Sequence, residues 1–239
     1  MSDRIDAGLW ALCALLSIWI YVIITCNTGG AADAAPVSAG MKNPVMIIDP
    51  GHGGMDGGAV SVTGKHESDI NWEIAERTGD LAAFVGVRAV LTRDKAEILY
   101  PAEEKTIAAR KKWDTRNRVE LINSVDNGIL VSIHQNFFPS ARPRGSQVIY
   151  GAGESSLRLA RRMQTALSRI SEPGRVRLPV KAGKEIYIMT HVTCPAVLVE
   201  CGFLSNPEEA RRLETAEYQK KLSAVIVAVF YGFLGDEYT

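Results

Sequence analysis

The residues with chemical potential sit at the ends of apolar runs. Val45 to Ile48 reads as a buried strand, and Asp49-Pro50-Gly51 stops it with turn residues. His52 therefore stands just past a strand end, where open α/β sheets bind ligands. Gly51, Gly53 and Gly54 leave room beside its imidazole for a metal, a substrate or another loop. A phosphate cradle is the competing reading, but no helix-opening Gly-Lys-Ser/Thr follows. His134 directly follows the apolar run 128–133, and Glu200 closes the run 196–199. Glu67 precedes a predicted helix capped by Ser68.

Two imidazoles and a carboxylate are the ligand set of a catalytic zinc site with an open fourth position. A second carboxylate could move protons to and from a metal-activated water. A carboxylate at the end of a buried strand is costly unless a metal, a partner or solvent compensates.

Positioning such groups requires strands that gather distant residues into one cleft. Helices are predicted over 68–85 (Ile70, Ile74, Leu81 and Phe84 near helical spacing), 105–123 and 157–170. Further strands are predicted over 88–92, 146–150 and 185–189. Asn206-Pro-Glu-Glu209 has a cap, a first-turn proline and first-turn acids, which marks a helix start. A last helix, with Tyr218, Leu222, Ile226 and Val229 inward, covers one sheet face. Alternating strands and helices give an α/β layer architecture.

The 239 residues allow one sizeable domain plus an appendage. Basic and acidic residues balance at 27 each, so no nucleic-acid footprint is present. Of the four cysteines, Cys13 and Cys26 lie in an apolar N-terminal run and Cys194 and Cys201 flank a strand, so none suggests a disulfide framework. After a short tail (1–6), the stretch 7–26 is nearly all apolar and long enough to span a bilayer as a helix. It reads as an uncleaved transmembrane anchor; a cleavable signal peptide is the competitor, with Ala-Asp-Ala at 32–34 as a cleavage site. Residues 27–43, rich in Gly, Ala, Ser and Pro, read as a flexible linker, and 44–239 as the catalytic domain.

Four motifs together resemble the zinc-dependent N-acetylmuramoyl-L-alanine amidases of the amidase 3 group. They are Asp-Pro-Gly-His-Gly-Gly (49–54), Glu-Ser-Asp-Ile-Asn (67–71), Ser-Ile-His-Gln-Asn (132–136) and Val-Glu-Cys-Gly-Phe-Leu-Ser-Asn (199–206). The resemblance covers about 44–235 and keeps the family's motif order. It implies one zinc held by His52, Glu67 and His134, with Glu200 as catalytic acid/base. It also implies a single α/β domain around a mostly parallel, roughly six-stranded sheet. The implied substrate is peptidoglycan, cut between the lactyl group of N-acetylmuramic acid and L-alanine. The layout looks most like the membrane-anchored, spore-cortex and germination-specific members, some of which use an accessory lipoprotein activator. The enzyme is then expected on the outer, wall side of the membrane, or secreted if the leader is cleaved. Cys201 and Gln135 depart from the usual family residues and are expected to touch no ligand.

Other residues are weaker candidates. His66 could replace Glu67 as a ligand but is expected to point away, and His191 reads as surface. Asp49 could orient a metal-binding histidine or cap the turn. Arg93, Arg116 and Asn136 could meet a carboxylated peptide, or serve in salt bridges and loop hydrogen bonds.

Overall fold

Strand β1 (Val45–Pro50) is buried along its whole length because both sheet faces are covered. It pairs in parallel with β2 (Ala89–Leu91) on one side and β3 (Gly128–Asn136) on the other. β3 in turn pairs in parallel with β6 (Ala196–Phe203). β4 (Gln147–Tyr150) runs antiparallel to β6, and β5 (Val180–Lys181) parallel to β4. The result is a six-stranded mixed sheet in the order β2-β1-β3-β6-β4-β5. This computed structural model describes residues 44–93, 98, 100–175 and 177–237, which belong to one compact unit. The tail, the apolar run and the linker fall outside them. Among the described residues no helix is long and apolar enough to cross a membrane.

Period-two alternation sends side chains to two different cores. Met46, Ile48, Ile129, Val131, Ile133, Val197, Val199 and Cys201 enter the larger one. Helices α1 (Glu67–Phe84), α3 (Glu154–Ser171) and α6 (Ala216–Glu237) cover it, through residues such as Ile70, Ile74, Leu159, Met163, Leu222 and Ile226. Ile47, Leu130, Ala196 and Leu198 point the other way, with Ile122 of α2 (Ile107–Ser124) and Met189 of α4 (Tyr187–His191). Asp49, Ser132, His134 and Glu200 continue this second set towards the carboxyl ends of the strands. The sheet thus carries its polar groups on the side with the thinner helical cover.

Several local expectations are corrected. The stretch 185–189 is not a strand: Tyr187–His191 is a short helix, whose Tyr187 stacks on His191 at 3.7 Å between ring centroids. Ser68 does not cap α1; His66 is the N-cap residue, without a side-chain cap bond, and Glu67 is the first helical residue. His134 and Glu200 do not follow their strands but lie within them, because β3 runs on to Asn136 and β6 to Phe203. The Asn206 signal is realised: its side chain accepts from Glu208 N and Glu209 N at the start of α5 (Pro207–Leu213).

Candidate metal centre

His52, Glu67 and His134 arrive from β1's end, α1's first turn and β3, and their ligand atoms all lie within 4.8 Å of one another. Glu67 is the hub. Its Oε2 lies 3.3 Å from His52 Nε2 and its Oε1 3.1 Å from His134 Nδ1. The same two oxygens accept the backbone N–H of Ala59 (3.0 Å) and of Gln135 (3.1 Å). Burial pushes this carboxyl up, but the hydrogen bonds and charges of the two imidazoles outweigh it and hold it well below the usual range.

Each histidine is held from behind. His52 sits at φ 60, a left-handed conformation uncommon outside glycine, so the turn itself aims its ring. Its Nδ1 meets Asp56 Oδ2 at 2.9 Å, and Lys111 Nζ reaches the same Asp56 oxygen at 3.0 Å. Burial pulls the His52 imidazole down, while the bonds to Asp56 and Glu67 pull it up to about 9. The His134 ring packs over Gly51, where a Cβ would overlap its Cε1, Nε2 and Cδ2. The room left by this glycine is filled by the second imidazole.

Asp49 does not orient a histidine directly. Fully buried, it accepts from Thr92 Oγ1 (2.6 Å) and Ser132 Oγ (2.7 Å) and pairs with Arg118 at 3.3 Å. Arg118 also donates to the carbonyls of Pro50 (2.9 Å) and His52 (2.5 Å) and pairs with Asp114 at 2.6 Å. Asp49 therefore acts on His52 through Arg118 and the turn backbone. Arg93 is buried as well: it donates to Pro50 O (3.2 Å) and Ser68 O (3.3 Å) and lies over the Trp72 ring, so it braces the turn instead of reaching into the cleft. Arg116 is exposed on α2. Asn136 falls where the β3–β6 register slips, and its carbonyl accepts Leu204 N at 2.8 Å.

Gln135 is closer to the ligands than expected. Besides its amide bond to Glu67, its side chain donates to Asn71 Oδ1 at 3.1 Å. Asn71 in turn donates to Gly51 O (3.1 Å) and Glu67 Oε1 (3.4 Å). Asn71 follows Glu67 by one helical turn, a spacing that puts both on one face. Cys201 is buried in the larger core, on the face away from Glu200. His66 is exposed and outside the ligand group, and His191 is an exposed helix-end residue.

Glu200 is the odd member. Its Oε2 is buried and has no hydrogen-bond partner among the described residues. Burial raises its carboxyl to about 7, partly opposed by His134 and His52. It lines a cleft of about 330 Å³ together with His52, His134, Lys111, Glu185 and Tyr187. The donors suit zinc: two imidazole nitrogens and a carboxylate converge, with His52 and Glu67 fixed by further hydrogen bonds and His134 packed against Gly51, beside an unpartnered carboxylate.

Comparison with known proteins finds relatives of the chain. The chain is 38% identical over 193 residues to the germination-specific N-acetylmuramoyl-L-alanine amidase of Bacillus subtilis, covering 80% of each chain. It is 31% identical to the amidase LytC of the same organism, over 82% of this chain and 37% of LytC. Among solved structures, the CwlD amidase from Clostridioides difficile, determined in complex with the GerS lipoprotein, superposes with a TM-score of 0.76. It is 32% identical, and the match covers 81% of this chain and all of that one, 100%. The model of the Amidase_3 family matches residues 46–229, which include every residue of the cluster. On that match and those identities, the chain belongs to the N-acetylmuramoyl-L-alanine amidase family Amidase_3.

Proposed function

We propose that the protein hydrolyses the amide joining the lactyl group of N-acetylmuramic acid to L-alanine of the peptidoglycan stem peptide. The observation that carries this reading is the pairing of a His-Glu-His donor group with a buried, unpartnered carboxylate at the next strand. His52, Glu67 and His134 would hold the zinc, which when bound supplies Lewis acidity towards water and the scissile carbonyl.

The chain's own groups do the rest. Glu200, whose carboxyl burial raises and a bound cation would lower, takes the proton of the attacking water and passes it to the departing alanine nitrogen. A base that titrates near the working pH is efficient in both directions of that transfer. Asp56 and Lys111 fix the His52 ring, and Gly51 and Asn71 fix the turn against His134 and Glu67. The cleft wall of Lys111, Thr115, Glu185 and Tyr187 offers polar contacts for the peptide.

A spore-cortex role is supported by the identity to the germination-specific relative. The apolar run 7–26 would hold the enzyme on the membrane with its cleft on the wall side, and a lipoprotein activator is suggested by the complex of the structural relative. The deciding experiment incubates the zinc-loaded protein with purified muropeptides. New L-alanine amino termini on intact stem peptides are expected. Cleavage within the stem, or loss of acetate with no peptide release, would replace the amidase reading by a peptidase or a deacetylase.

A further inference from the structure

Two aromatic side chains stand next to the ligand cluster without a part in it. Phe137 and Phe138 are 49% and 53% exposed, and neither lines the cleft that holds Glu200. Phe137 follows His134 by three residues, so at about 3.3 Å per residue it lies within roughly 10 Å of that ligand. The loop that displays them is fastened along its length. Asn136 O accepts Leu204 N at 2.8 Å, Phe138 N donates to Ser205 Oγ at 3.1 Å, and Asn206 Nδ2 donates to Ala141 O at 2.8 Å. Leu204 belongs to the larger core, on the sheet face opposite the cleft. The aromatic pair therefore stands close to the ligand cluster but outside the polar cleft.

The proposed substrate has two unlike arms that meet at the reacting amide. One is a peptide, rich in hydrogen-bonding and charged groups. The other is a glycan, whose pyranose rings present flat faces of C–H bonds that pack on the electron-rich face of an aromatic ring. The cleft offers Lys111, Glu185 and Thr115, which suit the first arm. We infer that Phe137 and Phe138 form a stacking shelf for the glycan strand, which places the peptide in the cleft and the sugar chain across the β3–β4 loop. This inference rests on the amidase reading. The muramic ring next to the scissile bond sits within the distance that three residues of strand can span. Two large apolar groups held out on a pinned loop at a hydrolytic site mark a contact surface.

The test uses glycan strands already stripped of peptide, which the enzyme cannot cleave. The zinc-loaded full chain is titrated with strands of two and of eight or more sugars. Tighter binding of the longer strands is expected. The double variant Phe137→Ala/Phe138→Ala should weaken binding of the long strands by roughly tenfold, with zinc content retained. Its KM for polymeric substrate should rise while kcat on a single muramoyl-peptide stays near that of the parent. Phe137→Trp/Phe138→Trp should bind long strands at least as well as the parent, which keeps the test readable if the alanine variant folds poorly. Glycan affinity unchanged in a zinc-replete alanine variant, or lost in the tryptophan variant, overturns the shelf and leaves the pair to a protein partner. Because this titration needs no turnover, failure of the amidase reading appears separately, as absence of peptide release from any muropeptide.

Discussion

His134 and Glu200 are register partners on the adjacent parallel strands β3 and β6. Same-register residues of neighbouring parallel strands project to the same face, with backbones about 4.8 Å apart. The pairing sets a metal-ligand candidate and a proton-transfer candidate side by side on rigid backbone, with no loop between them. That rigidity explains how Glu200 can be buried without a partner and still stay at its post.

The first prediction concerns Glu200 in catalysis. Glu200→Gln keeps the shape and removes the proton acceptor. Zinc content should match the parent, and turnover of peptide-bearing muropeptides should fall about 10²–10⁴-fold. Near-parental turnover would take Glu200 out of the mechanism, and loss of zinc would make it a ligand.

The same residue makes a stability prediction for the metal-free protein. Its folded carboxyl, at about 7, lies above the ordinary glutamate value, so the folded state holds that proton more tightly than the unfolded chain. The stability tied to this group is complete below about pH 4 and drains away as pH rises through about 7. Glutamine carries no such penalty. In denaturant titrations Glu200→Gln should therefore match the parent near pH 4 and exceed it by roughly 1–3 kcal/mol at pH 8. A gap that is constant with pH would mean that Glu200 is solvated in the folded protein.

Much of this site was legible in the sequence because a strand end is a one-dimensional signal. His52, His134 and Glu200 each border an apolar run, and four short motifs fix their order. Asp56, Lys111, Arg118 and Gly51's partner were not legible, since they depend on which distant segments the sheet brings together. Lys111, for example, meets Asp56 only because α2 packs across β3. The role of Gln135 is hidden from the sequence because its contact with Glu67 is through its backbone, which residue type does not encode. The stretch 185–189 places the β-branched Ile186 and Ile188 at alternate positions, as a strand would. Tertiary packing overrode that pattern: Ile186, Ile188 and Met189 all join the smaller core, and one helical turn places them there. β5 carries no sequence signal, because its two residues are exposed and have no pattern.

Gly51 should prove sensitive for one reason only. It is absent from the positive-φ residues, so alanine suits its backbone, but the new methyl would overlap the His134 ring. Gly51→Ala is expected to fold and to lose zinc affinity about 10–100-fold as the imidazole is displaced. Competition against a chelator of known affinity reads this directly. Unchanged affinity would mean that His134 can ligate from another rotamer.

The last prediction separates the two supports of His52. Asp56 Oδ2 touches His52 Nδ1 at 2.9 Å and Lys111 Nζ at 3.0 Å, so the lysine acts on the imidazole only through the carboxylate. Asp56→Ala frees the ring and should lower zinc affinity about 10–100-fold, as loss of a carboxylate behind a metal-binding histidine does elsewhere. Lys111→Met leaves the carboxylate in place, and Lys111 is an exposed partner whose ion pair is worth little, so the drop should be no more than a few-fold. In the double variant Asp56→Ala/Lys111→Met, the lysine effect should vanish, since its only route to the metal is gone. Additive losses in that cycle would show a separate path from Lys111 to the site, and a Lys111→Met loss as large as that of Asp56→Ala would reverse the order of the chain.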